Sequence, residues 1–144
     1  MSPARYLRIT FWLTLAGVLF SGYLSAVKLA TGTCAFNESC PYFLGYPACW
    51  YGFVMFLAMF FLVLAARYRG LASRASAQWI AWISTAGILF AGQFVWRELV
   101  LWLSSGNPDY GLVFPTCVYG LVFYLAIFIL SLVMLKRGSR PELP

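Results

Sequence analysis

Four long hydrophobic segments, separated by short polar stretches, dominate the chain. They cover residues 9–29, 48–66, 79–103 and 116–135, and each is close to the roughly 20 residues that a helix needs to cross a bilayer core. Helices are expected because an open sheet would leave backbone groups without hydrogen bonds in lipid. The pattern predicts an all-α fold, an integral membrane four-helix bundle that forms a single transmembrane domain over residues 1–144.

The second half of the chain repeats the first. WLTLAGVLFSG at residues 12–22 matches WISTAGILFAG at residues 82–92, and PACWYGFVMFLA in the second segment matches PTCVYGLVFYLA in the fourth. The repeated unit is therefore a helical hairpin. Its two copies span residues 9–66 and 79–135. Cys49 and Cys117 occupy equivalent positions in the two copies. Any chemistry that they perform is therefore set by the duplicated architecture.

Composition and charge agree with a membrane location. Hydrophobic residues make up 62% of the chain and charged residues 10%, which is typical of a protein whose solvent is the lipid bilayer. The net charge is +6, and eight of the ten basic residues flank one side of the segments. These are Arg5, Arg8, Arg67, Arg69, Arg74, Lys136, Arg137 and Arg140. The only charged residues in the opposite loops are Glu38 and Asp109. The asymmetry predicts that both termini are cytoplasmic and argues against binding of nucleic acid. The expected location is a bacterial or archaeal plasma membrane.

Under this topology all four cysteines lie on the extracytoplasmic side. An even number of cysteines in an oxidising compartment favours disulfides, and the chain has no histidine to support a metal site. Four cysteines allow three pairings. Sequence proximity favours Cys34 with Cys40, and repeat symmetry favours Cys49 with Cys117.

Cys49 and Cys117 each follow a proline by two residues and are predicted to lie in the first turn of a helix. Unbonded N–H groups and the helix dipole stabilise a thiolate there, which makes both cysteines candidate redox residues. Gly52 and Gly120 follow three residues later on the same helix face, and the gap could admit a flat ring or a neighbouring helix. Alternatively, the glycines serve only close packing and the two cysteines form a structural staple.

Aromatic residues adjoin both of these cysteines. Trp50, Tyr51 and Tyr119 could form a wall on which a quinone ring stacks. They also fit the belt of tryptophan and tyrosine that lines membrane interfaces. The sequence leaves both interpretations open.

Two ionisable residues occupy equivalent positions near the outer ends of the first and third segments. These residues are Lys28 and Glu98, and Arg97 lies beside the second of them. Charged residues at membrane depth are functional candidates. Their depth here is shallow, however, so an ion pair of Glu98 with Lys28 or Arg97 explains them as well as a role in proton or substrate binding.

The segment GVLFSGY at residues 17–23, followed by Val27 and Lys28 and then by a cysteine pair in the first outer loop, resembles the vitamin K epoxide reductase family and its DsbB-like bacterial counterparts. The resemblance covers most of the chain. It implies a four-helix core, a quinone as cofactor, and a catalytic Cys-x-x-Cys at the start of the last helix. It also implies a loop cysteine pair that shuttles electrons from an extracytoplasmic thioredoxin-like partner.

Carried over to this chain, the resemblance makes Cys34 and Cys40 the shuttle pair and Cys117 the first catalytic cysteine. The second catalytic cysteine is missing, because the motif here reads CVYG. In the family this second cysteine faces the quinone, so Cys49 would have to take its role. The resemblance thus implies a catalytic set of Cys34, Cys40, Cys49 and Cys117, and a member of the fold that has lost catalysis is the alternative.

Three functions follow from these observations. The first is a membrane thiol–disulfide oxidoreductase that passes electrons between extracytoplasmic thiols and a quinone. The second is a disulfide-stapled membrane protein with a binding or assembly role. The third is a small transporter built by duplication, which is the weakest of the three because no charged residue lies near the middle of the bilayer. The chain lacks a P-loop, a dinucleotide fingerprint and a histidine, so any chemistry is sulfur chemistry.

Overall fold

The computed structural model describes residues 1–37, 41–106 and 114–137, and it is a bundle of four packed helices. The helices are α1 (Pro3–Thr31), α2 (Ala48–Tyr68), α3 (Ser73–Ser105) and α4 (Thr116–Arg137). All four are long and apolar enough to cross a membrane. The predicted all-α four-helix architecture is therefore confirmed.

Helices α1 and α3 begin earlier than the hydrophobic segments indicated. At the start of α1, the Ser2 side chain accepts a hydrogen bond of 3.3 Å from the backbone N–H of Arg5, and Pro3 occupies the first turn. Serine is a favoured N-cap, and proline in the first turn loses no intrahelical hydrogen bond. Hydropathy marks the part of a helix that fits the lipid, whereas capping decides where its hydrogen bonds begin.

The helices pack as a closed ring in chain order. Helix α1 contacts α2 and α3 contacts α4 most extensively, and these pairs are the two hairpins of the sequence repeat. The ring closes through contacts of α2 with α3 and of α1 with α4. We call the end at which α2 and α4 begin the cysteine end, and the opposite end, which carries Arg67, Arg69 and Arg74, the basic end.

A short hairpin that the sequence pattern did not reveal lies between α1 and α2. Strand β1 (Tyr42–Phe43) pairs antiparallel with β2 (Tyr46–Pro47) after a 3₁₀ turn at Ala35–Asn37. Leu44 and Gly45 connect the strands with φ angles of 50° and 85°. Two successive positive φ values produce the tight turn that matches the twist of paired strands.

A pseudo-twofold axis in the middle of the bundle relates the two copies of the sequence repeat. A Cβ added to Gly17 would overlap the ring of Phe56, and a Cβ added to the equivalent Gly87 would overlap the ring of Tyr124. These two rings stack on each other with centroids 4.4 Å apart and an interplanar angle of 12°. In each hairpin, an aromatic ring of the second helix thus packs against a glycine of the first helix. The two hairpins meet where these rings stack.

Towards the basic end the bundle interior contains hydroxyl groups. Buried side chains of this kind are Thr10, Thr14, Ser76, Ser84 and Ser131, together with the fully buried Tyr6. The hydroxyl oxygens of Tyr6 and Ser131 are 3.0 Å apart, and Ser131 donates its own proton to the carbonyl of Ile127. Tyr6 therefore donates to Ser131. This bond joins the first helix to the last, as small polar residues do in membrane bundles.

We expect Tyr6→Phe to destabilise the bundle, because it removes the donor to Ser131 and keeps the ring. Interhelical hydrogen bonds in membranes contribute about 0.6 kcal/mol on average and about 1.7 kcal/mol at most, so a loss in this range is expected. Unfolding in mixed micelles would measure it. Tyr68→Phe is the matched control because Tyr68 is 72% exposed. Equal stability of the two variants would contradict a role for the Tyr6–Ser131 bond.

Candidate functional site

Three of the four cysteines meet at one cavity. Cys34 from the first loop, Cys49 from α2 and Cys117 from α4 line a cavity of about 90 Å³ at the cysteine end. The three come from segments that are far apart in the chain, and the bundle brings them together. Cys40 lies outside the described residues, so its position is not described.

Both repeats contribute the same positions to the cavity lining. The equivalent pairs are Phe20 and Phe90, Ser21 and Ala91, Leu24 and Phe94, Ala48 and Thr116, Cys49 and Cys117, Gly52 and Gly120, and Phe56 and Tyr124. The pseudo-twofold axis therefore passes through the cavity. Phe56 and Tyr124, two helical turns beyond the cysteines, form its floor.

The glycines of the repeat divide into two functional groups. At Gly17 and Gly87 the missing side chain makes room for a ring, as described above. At Gly120 an added Cβ would meet nothing within 4 Å, and at Gly52 it would meet only the hydroxyl of Tyr124 at 3.9 Å. Of the two uses expected for Gly52 and Gly120, the structure therefore shows open space and not a neighbouring helix. These two glycines widen the cavity.

The structure differs from the expected cysteine pairing. Cys49 and Cys117 are both thiols, each half-buried, and the predicted disulfide between them is not formed. Repeat symmetry brings the two sulfurs to one cavity, but it does not require that they bond. The prediction of a Cys49–Cys117 bond is therefore wrong for this structure. The expected pair of Cys34 with Cys40 involves a residue outside the described part of the chain.

Polar side chains of α1 near the cavity are hydrogen-bonded within their own helix. The hydroxyl of Ser21, a lining residue, donates to the Gly17 carbonyl at 2.6 Å, and the Ser25 hydroxyl donates to the Ser21 carbonyl at 2.7 Å.

Lys28 makes contacts that the sequence did not suggest. Its ammonium nitrogen donates to the Gly32 carbonyl at 2.5 Å and lies 5.4 Å from the centre of the Tyr42 ring. Both contacts hold it at the cysteine end beside the first loop. The expected pairing of Glu98 with Lys28 or Arg97 stays a prediction.

The aromatic wall of the cavity differs from the one expected. Trp50, Tyr51 and Tyr119 are not among the lining residues. Within the described part of the chain, the aromatic lining consists of Phe20, Phe56, Phe90, Phe94 and Tyr124. The signal in the sequence was the spacing: Phe56 and Tyr124 follow the cysteines by seven residues, which returns a helix to the same face. Adjacent residues, in contrast, point elsewhere.

Trp50, Tyr51 and Tyr119 pack against residues around the cavity and do not line it. Tyr51 donates a hydrogen bond of 3.0 Å to the Phe43 carbonyl, and its ring lies 5.4 Å from that of Phe90. Tyr119 contacts Phe20 with ring centroids 6.2 Å apart, and Trp50 contacts Tyr46 at 5.8 Å. They contact lining residues or the hairpin.

The first loop forms the outer boundary of the cavity. Pro41 and Pro47, on either side of the hairpin, are lining residues, and the backbone N–H of Ala48 donates to the Pro41 carbonyl at 2.9 Å. The ring of Phe43 packs edge-on against Phe90 at 5.4 Å. The hairpin is thereby fixed to both α2 and α3.

Comparison with protein-family models, with curated proteins and with solved structures gives no match for this chain. A functional assignment therefore depends on the geometry of the cavity and on the chemistry of its residues.

Proposed function

We propose that this protein is a membrane thiol–disulfide oxidoreductase that passes electrons from extracytoplasmic thiols to a quinone. The observation that supports this proposal most directly is the meeting of Cys34, Cys49 and Cys117 at one apolar cavity. Disulfide exchange requires sulfurs that can approach one another, because a thiolate attacks a disulfide through a mixed-disulfide intermediate. A cavity lined by cysteines from two helices and a loop supplies this arrangement.

Cys49 and Cys117 form the inner pair in this proposal. Their two thiols lose two protons and two electrons, and a disulfide forms between them. The oxidant is a quinone, which takes up the same two electrons and two protons and leaves as the quinol. Both cysteines stand as thiols in the structure, which corresponds to the reduced state of the inner pair.

Cys34 and Cys40 form the outer pair, which exchanges with a thioredoxin-like partner. The Cys34 sulfur is disulfide-bonded, which supports an oxidised outer pair. An oxidised outer pair beside a reduced inner pair is the state reached after electrons have moved inward. In the next cycle, the partner dithiol reduces the outer disulfide and becomes a disulfide itself.

The character of the cavity favours a quinone as the oxidant. Phenylalanine side chains supply much of its lining, and the open space at Gly120 can accept a flat ring. Its volume of about 90 Å³ is below the roughly 300–1,000 Å³ typical of pockets that enclose drug-sized ligands. The cavity therefore suits a ring headgroup, with an isoprenoid tail that remains in the lipid. This match agrees with the family resemblance of the sequence.

The topology is part of the same proposal. The cysteine end faces the extracytoplasmic side of a bacterial or archaeal plasma membrane, since the basic residues cluster at the opposite end. Of the two alternatives, the stapled scaffold would need a lasting Cys49–Cys117 bond, whereas the oxidoreductase accommodates the two thiols as its reduced state. The transporter is supported by the duplication alone.

A direct assay tests the proposed function. Purified protein in nanodiscs is given dithiothreitol and a short-tailed ubiquinone or menaquinone, and quinone reduction and dithiol oxidation are followed together. We expect turnover with equal amounts of quinone reduced and dithiol oxidised. Native protein that shows no such turnover with either quinone would refute the proposal.

A Gly120→Leu variant tests whether the cavity is the quinone site. The added side chain enters open space, so the fold should be retained while the ring is displaced. We expect the KM for quinone to rise by roughly tenfold or more, since the loss of a fitted contact costs about 1–3 kcal/mol. The control is Gly92→Ala, which also adds atoms where nothing lies within 4 Å but does not line the cavity. An unchanged KM in Gly120→Leu would place the quinone elsewhere.

A further inference from the structure

At the basic end, an arginine of α2 lies against an aromatic ring of α1. The guanidinium carbon of Arg67 lies 5.6 Å from the centre of the Phe11 ring and 5.6 Å from that of Tyr68. A guanidinium within about 6 Å of a ring centre is attracted to the ring face. Phe11 also contacts Phe60 of α2 and Trp12, each with ring centroids 5.4 Å apart. The Arg67 side chain is thereby held across the junction of α1 and α2.

Arg8 is placed on the same side of α1. It precedes Phe11 by three residues, and helix positions with this spacing lie on one face with Cβ atoms about 5–6 Å apart. Arg8 and Arg67 therefore approach the Phe11 ring from α1 and from α2, and both are exposed. Trp12 and Tyr68, which are 62% and 72% exposed, lie beside them. We call these five residues the arginine–aromatic face.

No carboxylate of the described residues forms an ion pair with Arg8 or Arg67. The chain has only four acidic residues, which are Glu38, Glu98, Asp109 and Glu142. Of these, only Glu98 lies within the described residues, and it lies beyond the midpoint of α3, towards the cysteine end. Two like charges beside one ring repel each other, so an anion from outside the chain would stabilise the arginine–aromatic face.

Exposed apolar side chains continue from this face along both helices. On α1, Leu19 follows Trp12 by seven residues, and on α2, Phe61 and Val54 precede Tyr68 by seven and fourteen. A spacing of seven returns to the same helix face. All five residues are more than half exposed. A molecule bound at the two arginines can therefore lay a hydrocarbon chain along the same side of the bundle.

We propose that the arginine–aromatic face binds the phosphate of an anionic phospholipid. The helices are long enough to cross a membrane, so their basic end lies at the headgroup level, where tryptophan and tyrosine are favoured. Arginine binds phosphate oxygens through two parallel N–H donors, and basic residues at a membrane surface attract anionic lipids. The phosphate lies between Arg8 and Arg67, and the acyl chains follow the exposed apolar residues. This inference does not depend on the proposed function.

Native mass spectrometry tests the site. Protein is released from nanodiscs that contain equal parts of phosphatidylglycerol and phosphatidylcholine with the same acyl chains, and the retained lipids are counted. We expect the native protein to retain phosphatidylglycerol in preference. Arg8→Gln and Arg67→Gln should each lower the ratio of the two lipids by about fivefold, which is the share of one basic residue near a membrane surface. Both arginines are exposed, so the variants should keep their helix content.

Arg69→Gln is the matched control, because it removes the same charge two residues from Arg67. Among the described residues Arg69 contacts no aromatic ring, so its replacement should change the lipid ratio by less than about twofold. Phe11→Leu keeps every charge but removes the ring that holds Arg67, and it should lower the ratio. An effect of Arg69→Gln equal to that of Arg67→Gln would show diffuse attraction by charge and would overturn the site.

A second measurement separates a lipid from a free anion. Thermal unfolding is followed in detergent with added phosphatidylglycerol, with added phosphatidylcholine, or with an excess of inorganic phosphate. Only phosphatidylglycerol should raise the unfolding temperature of the native protein, and it should not raise that of the variant with both Arg8→Gln and Arg67→Gln. Equal stabilisation by inorganic phosphate would reject the lipid as the ligand. Equal retention of the two lipids by the native protein would reject the proposal as a whole.

Discussion

Cys49→Ala and Cys117→Ala should each reduce quinone-dependent dithiol oxidation to the rate of the uncatalysed reaction. Either substitution leaves one inner sulfur, and one sulfur cannot form the disulfide that releases two electrons to the acceptor. The loss should therefore appear in kcat and not only in KM for either substrate. The assay with dithiothreitol and a short-tailed quinone measures both quantities.

The same variants distinguish an enzyme from a stapled scaffold. Neither sulfur is in a disulfide in the structure. Under reducing conditions, the free energy of unfolding of each alanine variant should therefore lie within about 1 kcal/mol of the native value. Removal of a structural disulfide typically costs about 2–5 kcal/mol. A loss of that size in both variants under non-reducing conditions, combined with no turnover in the native protein, would favour the scaffold. Thr85→Ala is the control, because Thr85 bonds to the Ala81 carbonyl of its own helix and does not line the cavity, and it should retain activity.

Gly87→Ala and Gly17→Ala should destabilise the bundle strongly for such small substitutions. The added methyl group would overlap the ring of Tyr124 in one case and that of Phe56 in the other. These rings stack at the centre of the bundle, so neither can move without disturbing its partner. Overpacking of a close-packed interior typically costs about 1–3 kcal/mol, and unfolding in mixed micelles would measure it.

Gly92→Ala is the matched control for these variants. Gly92 lies on the same helix as Gly87, but nothing lies within 4 Å of its added Cβ. Alanine is about 1 kcal/mol better than glycine inside a helix, so Gly92→Ala should be neutral or stabilising. A further variant, Gly87→Ala with Tyr124→Leu, should recover part of the loss because the clashing ring is removed. Equal destabilisation by Gly87→Ala and Gly92→Ala would show that the ring contact is not the cause.

Gly87→Ala should also reduce activity, since Tyr124 is part of the cavity floor. Its hydroxyl donates to the Gly52 carbonyl at 3.3 Å, which links α4 to α2 across the axis. Displacement of this ring would change the shape of the cavity floor. The effect on KM should exceed the effect of Tyr6→Phe, which acts at the opposite end of the bundle.

Several features of the site were readable in the sequence because they depend on local spacing. The two cysteines at helix starts, each followed by a glycine three residues later, lie where the repeat predicts, on one cavity. The aromatic lining of the cavity differs from the expected one, because neighbouring residues in a helix point about 100° apart. Residues at a spacing of seven return to the same face, and Phe56 and Tyr124 have that spacing.

The sequence by itself determined the number of helices, the duplication and the side of the helices on which the basic residues cluster. Hydrophobic length, internal similarity and the positions of arginine are properties of the chain that need no knowledge of contacts. Helix α1 begins at Pro3 and not at residue 9, because capping and not hydropathy decides a helix start.

Only the tertiary structure decided which small residues pack and which open a cavity. Gly17, Gly52, Gly87 and Gly120 are alike in sequence, but a ring lies against the first and third of them, whereas the second and fourth border open space. The tertiary structure also decided that Cys49 and Cys117 stand as thiols at one cavity together with Cys34. The physical reason is that space, bonding and electrostatic environment depend on the partner helix, and the local sequence does not specify its contacts.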